Sequence, residues 1–226
     1  MNNVKGILFD FGGTIDADGV AWKERFYPIY RAHGIKWKFG EFEKYFFASD
    51  DFLTAMKPRN VSYYDVLKLQ VSLVLKEGGR FSEPLAGKIA RKFLQDSLRS
   101  VKSKLPLIKK LSAKYKLGIV ANFYGNLAEV CEDCGLYPYF DALADSGVVG
   151  CIKPDPGIFK FALKKLGTRA EETLFVGDSM KRDMAGAKNM GMPHIWVKPV
   201  ANSGVSPCCT GDVTIGSIQE LKGMLL

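Results

Sequence analysis

The chain has 226 residues, of which 47% are hydrophobic and 25% are charged. These fractions are those of an ordinary globular protein, so the composition excludes a disordered or fibrous chain. No apolar run reaches the roughly 18–20 residues of a membrane-spanning helix, and the first residues lack the longer apolar segment of a signal peptide. We therefore expect a cytoplasmic protein built as one large domain or as a core with an insert.

The positive charge of the chain is spread along its length. The formal net charge is +8 at pH 7, of which residues 16–95 contribute +4 and the remainder the other +4. Nucleic-acid-binding proteins usually concentrate their basic residues in a stripe or block. We expect a solvated surface that favours small anionic ligands, with neither a nucleic acid nor a membrane as partner.

One short strand and a long helical block open the chain. The apolar run that ends at Asp10 predicts a buried strand over residues 6–10. Apolar residues then recur at helical spacing in three segments, which begin near Trp22, Ser62 and Ser82. Residues 16–95 are therefore predicted to contain helices only.

Strands and helices alternate from residue 116 onward. Short apolar runs predict strands at 116–120, 173–176 and 194–197, and helical patterns cover 126–134, 156–166, 180–190 and 218–225. Such alternation is typical of a parallel sheet covered by helices on both faces. We predict an α/β fold with a Rossmann-like parallel-sheet core, residues 1–15 and 96–226, and an all-helical cap, residues 16–95. The hinges of this cap are predicted near Asp16 and Ser97.

Polar side chains stand at the ends of the predicted strands. Asp10, Asn122 and Asp178 each follow an apolar strand, and Asp183 comes five residues after Asp178. Lys153 precedes a predicted helix in the same half of the chain. Open α/β sheets bind their ligands at the carboxyl ends of the strands. The five side chains therefore predict a single site at this edge.

Three segments around these residues carry a family resemblance. They are Asp10–Thr14, Lys153–Pro156 and Gly177–Asp183, in this order along the chain. Together they resemble the signature of the haloacid dehalogenase superfamily, and the resemblance spans nearly the whole chain. The helical insert also falls where that family places a cap domain.

The resemblance implies a Mg²⁺-dependent hydrolase that acts on a small phosphorylated metabolite. Asp10 would be the nucleophile that attacks phosphorus. The ligands of Mg²⁺ would be the Asp10 carboxylate, the Gly12 backbone carbonyl and the Asp178 carboxylate. Positive charge is required at such a site because neighbouring carboxylates and a phosphate repel each other.

The resemblance also assigns roles to three further residues. Lys153 would neutralise charge on the nucleophile and on the phosphoryl oxygens, and so serve both catalysis and substrate binding. Asp183 would orient a water molecule or Lys153. The backbone N–H of Asn122 would face a phosphate oxygen of the substrate.

Two positions depart from the phosphatases of this family. Where they carry a second aspartate as general acid and base, two residues after the nucleophile, this chain has Gly12. General acid–base help is worth roughly 10²–10⁴ in rate, or about 3–5 kcal/mol. Where they carry a serine or threonine that binds the phosphoryl group, this chain has Ala121. The lost hydrogen bond is worth about 1.5–3 kcal/mol.

These departures leave three hypotheses open. The first is a phosphatase that is slow or takes its proton donor from the cap. The second is a dehalogenase or a phosphonate-cleaving hydrolase of the same superfamily, with Lys23 and Lys57 as the cap lysines to consider for a Schiff base. The third is a non-catalytic relative that binds phosphorylated ligands or proteins.

Overall fold

The computed structural model describes residues 3–198 and 213–226, and their strands form one parallel sheet. The strands are β1 (Gly6–Phe9), β2 (Lys116–Ala121), β3 (Ala142–Asp145), β4 (Thr173–Gly177), β5 (His194–Val197) and β6 (Val213–Ile215). Their order across the sheet is β3-β2-β1-β4-β5-β6, and every neighbouring pair is parallel. The predicted parallel α/β fold is confirmed.

Strand β1 lies at the centre of the sheet and fixes the level at which the neighbouring strands end. Its four residues are fully buried, as a strand with apolar neighbours on both faces must be. Phe9 is in register with Ile119 of β2 and Val176 of β4. The residues that follow these three strands therefore emerge side by side at one edge.

Nine α-helices are present in the described ranges. They are α1 (Trp22–Ala32), α2 (Phe39–Met56), α3 (Tyr63–Glu77), α4 (Glu83–Ser112), α5 (Leu127–Asp133), α6 (Ser146–Val149), α7 (Pro156–Leu166), α8 (Ala185–Asn189) and α9 (Leu221–Leu225). Within the described part of the chain, no helix combines the length and the hydropathy that crossing a bilayer requires.

The predicted insert is helical, and its last helix is longer than expected. Residues 16–95, all described, contain α1, α2, α3 and the first part of α4. Helix α4 continues without a break past residue 95 because buried apolar residues such as Val101, Leu107 and Leu111 keep the helical spacing. The division into core and cap at residue 95, and the hinges at Asp16 and Ser97, stay predictions.

Strand β3 was not predicted from the sequence, and residues 180–190 do not form the single helix that was expected. Strand β3 is only four residues long and contains two alanines, which are poor strand formers. Its pairing with β2 supplies the stability that its own sequence lacks. Residues 180–190 begin as a wide π-type turn, Met180–Met184, and continue as α8.

A buried lysine joins helix α4 to the loop after β1. Lys104 is 1% exposed, and its Nζ donates hydrogen bonds to the carbonyls of Thr14 (3.2 Å), Ile15 (3.0 Å) and Ala17 (2.8 Å). It also lies 3.1 Å from an Asp18 carboxylate oxygen. One ammonium group thus satisfies the backbone of the segment that leads from β1 into the helical insert.

We expect Lys104→Met to destabilise the fold by about 3 kcal/mol, because the substitution leaves buried carbonyls without a donor. For a chain of this size, the melting temperature should fall by about 6–12 °C. Thermal unfolding followed by circular dichroism measures the effect. Lys102→Met, an exposed position on the same helix, is the matched control. Equal melting temperatures for the two variants would contradict the assigned role of Lys104.

Candidate active site

Three carboxylates meet at the edge where β1 and β4 end. Asp10 follows β1 directly, Asp178 follows β4, and Asp183 lies in the turn after Asp178. One ligand atom from each carboxylate lies within 4.8 Å of the others. Asp10 and Asp183 are almost completely buried. The structure therefore brings together three of the residues that the sequence placed in one site.

Lys153 lies between two of these carboxylates. Its Nζ is 2.6 Å from Asp10 Oδ1 and 2.7 Å from Asp183 Oδ1. The side chain is 1% exposed, so the ion pairs form away from bulk solvent. A buried ammonium group in this position offsets part of the repulsion between the carboxylates.

The side chain of Asn122 positions Lys153. The backbone N–H of Lys153 donates to Asn122 Oδ1 (2.7 Å), and Asn122 Nδ2 donates to the Lys153 carbonyl (3.2 Å). This pair of hydrogen bonds joins the end of β2 to the segment that carries the lysine. The interaction of the Asn122 backbone N–H with a phosphate oxygen of the substrate stays a prediction. The positioning of Lys153 by the Asn122 side chain was not predicted from the sequence.

Two glycines make room for the carboxylates. Gly13 has a φ of 98°, which favours glycine, and a Cβ there would lie 2.4 Å from Asp178 Oδ2. A Cβ at Gly177 would lie 2.6 Å from the carboxylate of Asp183. The Ser179 backbone N–H donates to Asp183 Oδ2 (2.9 Å) and fixes its orientation. Both glycines are therefore needed for the carboxylates to approach the backbone.

The environment shifts the pKa values of the site in a consistent way. Burial raises the pKa of Asp10 to about 6, although the neighbouring Lys153 ammonium opposes this rise. Burial and the nearby carboxylates raise the pKa of Asp178 well above its ordinary value. Burial alone would lower the pKa of Lys153, but Asp10 and Asp183 outweigh it and raise this pKa. The site thus holds more negative charge than its one buried lysine compensates.

The donor atoms of this cluster suit a hard divalent cation. Asp178 Oδ1 is buried and has no hydrogen-bond partner, which is costly for a carboxylate oxygen unless a cation binds there. The donor set consists of carboxylate oxygens, the ligands that Mg²⁺ prefers. The residues present therefore fit a magnesium ion.

Trp22 limits the space beside Gly12. A Cβ at Gly12 would lie 3.1 Å from the indole Nε1 of Trp22, and that indole N–H donates to Asp16 Oδ2 (2.7 Å). The backbone of Gly12, with φ −77° and ψ 107°, is in a region open to other residues. The constraint at position 12 is thus the tryptophan and not the backbone.

A network of hydrogen bonds around Asp16 was not predicted from the sequence. This fully buried carboxylate accepts hydrogen bonds from the Gly13 backbone N–H (2.7 Å) and from Arg25 Nη1 (2.6 Å). Arg25 Nη2 in turn donates to Ser97 Oγ (2.6 Å). The two positions predicted as hinges are therefore linked through one arginine of α1. Asp16 and Ser97 lie 81 positions apart, so no local pattern could show this link.

A cavity of about 740 Å³ opens onto the carboxylate cluster. The core contributes Asp10, Ala121, Lys153 and Arg182 to its lining, together with the aromatic rings of Phe123 and Tyr124. Helices α1 and α2 contribute Trp22, Lys23, Phe46, Phe47, Asp50 and Asp51. Lys23 forms an ion pair with Glu43 of α2. The cavity is large enough for a small molecule, and Asp10 and Lys153 both line it.

The fold is that of a haloacid dehalogenase-like hydrolase. Residues 4–191 match that family, and the chain belongs to it. Its homologues include phosphatase-like hydrolases of the superfamily. The solved HAD phosphatase from Thermococcus onnurineus superposes with a TM-score of 0.58 at 25% identity, over 98% of each chain.

Two curated relatives are named as a nucleotidase and a phosphatase. Pyrimidine 5′-nucleotidase YjjG of Escherichia coli (strain K12) is 29% identical over 211 residues, which are 85% of this chain and 89% of that protein. Glyceraldehyde 3-phosphate phosphatase of Methanocaldococcus jannaschii is 37% identical over 87 residues, 38% of this chain and 38% of that protein. The match to the second relative therefore spans less than half of either protein.

Proposed function

We propose that this protein is a Mg²⁺-dependent phosphatase that hydrolyses a monoester of a small metabolite through Asp10. The observation that carries the proposal is the position of the Asp10 carboxylate. It is 2.6 Å from the buried Lys153 ammonium, beside Asp178, and it faces the cavity. A relative named as a phosphatase and one named as a 5′-nucleotidase support the same reaction class.

In the first step, Asp10 attacks the phosphorus atom of the bound ester. The P–O bond to the leaving group breaks, and its electron pair goes to the leaving oxygen. The phosphoryl group is then carried by the Asp10 carboxylate. Lys153 stays within hydrogen-bond distance of Asp10 and stabilises the charge that develops on the phosphoryl oxygens.

In the second step, water attacks the phosphorus atom, and the bond between phosphorus and the Asp10 oxygen breaks with its electron pair returning to the carboxylate. Inorganic phosphate then leaves. Asp183 holds Lys153 in place during both steps through its 2.7 Å ion pair. Asp10, the Gly12 carbonyl and Asp178 would hold Mg²⁺. When bound, the ion would supply the positive charge that brings a phosphate dianion next to these carboxylates.

The cations that line the cavity favour an anionic substrate. Lys181 and Arg182 follow the Asp178 turn, and both side chains are exposed to the cavity space. Arg182 also lowers the pKa of Asp10, against the dominant effect of burial. A phosphate group at Asp10 would therefore lie in a field that attracts it.

The proposal is tested by a panel of three substrate types with Mg²⁺ present: phosphate esters, 2-haloacids and phosphonoacetaldehyde. We expect phosphate release from the esters and no turnover of the other two. Halide release from a haloacid, or cleavage of the phosphonate, would replace the proposal by the second hypothesis. No turnover of any type would favour a non-catalytic binding protein.

The structure gives less support to a Schiff-base mechanism. Lys23 lies at the cavity, but its ammonium group forms an ion pair with Glu43 and faces the rings of Phe39 and Phe47 at 5.8 and 5.2 Å. Lys57 is not among the residues that line this cavity in the described part of the chain. A lysine held as a charged ammonium is a poor nucleophile towards a carbonyl.

We expect Asp178→Asn to raise the melting temperature of the metal-free protein and to remove its stabilisation by Mg²⁺. Because the pKa of Asp178 is raised on folding, its ionised form costs stability as the pH rises from about 4 through the folded pKa. The amide does not have this cost. In the wild type, Mg²⁺ at 100 times its Kd should add about 2.7 kcal/mol, or about 5–10 °C.

Thermal unfolding at pH 7.5, with EDTA or with Mg²⁺, measures both effects. Glu132→Gln, an exposed carboxylate on α5, is the matched control and should keep the wild-type response. An equal Mg²⁺-dependent rise in the Asp178→Asn variant would show that Asp178 is not a ligand.

A further inference from the structure

Asp50 is a carboxyl group of the helical insert that lines the same cavity as Asp10. It lies on α2, and this cavity has a volume of about 740 Å³. Asp50 is half-buried, whereas the next residue, Asp51, is exposed. Position 12, where the phosphatases of this family carry their acid, has no side chain here. Under the proposed function, the proton for the leaving group must therefore come from another group of the cavity.

Two buried residues fix the orientation of the Asp50 carboxyl. The hydroxyl of Tyr124 donates a hydrogen bond to Asp50 Oδ1. Gln70 Nε2, on α3, donates to the same hydroxyl oxygen at 3.1 Å, so the Tyr124 proton is directed to Asp50. Gln70 and Tyr124 are 1% and 5% exposed. Side chains from α2, α3 and the segment after β2 thus build this arrangement.

Other polar residues of the cavity are less suited to move a proton. Arg182 does not release its proton in proteins, and Lys23 is held in an ion pair with Glu43. Burial raises the pKa of the Tyr124 hydroxyl well above its ordinary value, which keeps this proton on oxygen. Asp51 is exposed to solvent, whereas Asp50 is half-buried.

We propose that Asp50 is the general acid and base of this enzyme, supplied from the helical insert in place of the side chain absent at Gly12. The inference rests on the proposed phosphatase function. As the P–O bond to the leaving group breaks, the Asp50 carboxyl gives its proton to the leaving oxygen, and an alcohol departs. As water then attacks the phosphoryl group on Asp10, its proton goes to the Asp50 carboxylate, and the bond between phosphorus and the Asp10 oxygen breaks with its electron pair returning to Asp10. Inorganic phosphate leaves, with Asp10 again a carboxylate and Asp50 again protonated.

The surroundings of Asp50 support the protonated form that the first step requires. Burial raises its pKa, while the Tyr124 hydrogen bond and the positive charge of Arg182 act in the opposite direction. The neighbouring carboxylate of Asp51 adds to the rise. Turnover that depends on this acid should be present below the pKa of Asp50 and decline above it.

The test compares two esters of similar size and different leaving groups, benzyl phosphate and p-nitrophenyl phosphate, with Mg²⁺ present. An alkoxide needs a proton to leave, whereas p-nitrophenolate does not. In Asp50→Asn, which keeps the acceptor for Tyr124, kcat for benzyl phosphate should fall by about 10²–10⁴-fold. For p-nitrophenyl phosphate, phosphoryl transfer in a rapid-quench burst should change by less than about tenfold.

The matched control is Glu132→Gln, an exposed carboxylate of α5 that is not among the described residues lining the cavity, and it should keep the wild-type ratio of the two rates. The decline of the benzyl phosphate rate at high pH should also disappear in Asp50→Asn. Equal losses on both esters, or none, would overturn the assignment of Asp50 while wild-type turnover leaves the phosphatase function standing. Absence of turnover in the wild type itself would refute both. Circular dichroism shows that each variant is folded.

Discussion

Asp10→Asn should abolish turnover of every substrate of this enzyme while leaving the fold intact. An amide is not a competent nucleophile, and removal of the nucleophile in covalent catalysis typically costs about 10⁴-fold or more in kcat. The substitution keeps the shape of the side chain, and Lys153 retains its partner Asp183 at 2.7 Å. Loss of activity should therefore come without loss of structure.

The melting temperature of Asp10→Asn shows whether the loss of activity comes from the missing nucleophile or from a destabilised fold. Burial raises the pKa of Asp10 to about 6, so in the wild type its ionisation costs stability as the pH rises from about 4 to 6. Without metal at pH 7.5, the variant should melt at or above the wild-type temperature, since this cost is gone. An inactive variant with a clearly lower melting temperature would mean that Asp10 is structural.

Rapid acid quench with a radiolabelled ester provides the direct measurement. Label should appear on the wild-type protein, in the peptide that contains Asp10, and be absent from Asp10→Asn. Glu132→Gln is the control for a carboxylate away from the site, and should be labelled like the wild type. Label on the Asp10→Asn protein would assign the nucleophile to another residue.

The location of the site could be predicted from the sequence because the ends of the strands could be predicted. Short apolar runs and turn residues predicted β1, β2 and β4, and a parallel sheet places their carboxyl ends at one edge. The proximity of Asp10 and Asp178 therefore follows from the strand ends alone, without knowledge of any side-chain contact. Their distance from Lys153, 143 positions away from Asp10, follows only from the fold.

The contacts between the helical insert and the sheet could not be predicted in this way. Asp50 meets Tyr124 across 74 positions, and Lys104 meets the loop after β1 across 87 to 90. Nothing in the local pattern distinguishes Lys104 from the exposed lysines of the same helix. Such residues are found by the burial and the hydrogen bonds of the folded chain, because long-range packing selects them.

Gly12→Asp should restore an acid at the position where related phosphatases carry one, and its effect should depend on Trp22. The backbone of Gly12 accepts a side chain, but the new Cβ would lie 3.1 Å from the indole nitrogen. Trp22 cannot move freely because it donates to Asp16 and contacts the ring of Phe93. We expect the single substitution to raise kcat for benzyl phosphate by less than about tenfold, out of the 10²–10⁴ that an acid can supply.

Adding Trp22→Phe to Gly12→Asp should raise kcat for benzyl phosphate further, because the smaller ring removes the close contact. Trp22→Phe alone provides the control. Ala121→Thr would return a hydroxyl to the phosphoryl site as well. If neither the wild type nor the Gly12→Asp, Ala121→Thr variant hydrolyses phosphate esters while Mg²⁺ still raises the melting temperature of that variant, the phosphatase hypothesis is wrong. The hypotheses of a dehalogenase or phosphonate-cleaving hydrolase and of a non-catalytic binding protein would then stand.

Gly12→Asp also tests whether a carboxyl group at position 12 and the carboxyl group of Asp50 can perform the same proton transfer. If Asp50 already supplies the proton, a carboxyl at position 12 is largely redundant in the wild type and becomes valuable only when Asp50 is removed. The gain from Gly12→Asp should therefore be larger in the Asp50→Asn background than alone, a coupling that a double-mutant cycle on benzyl phosphate measures directly. Equal gains in both backgrounds would mean that the two carboxyl groups act independently, and that the helical insert does not replace the acid missing at Gly12.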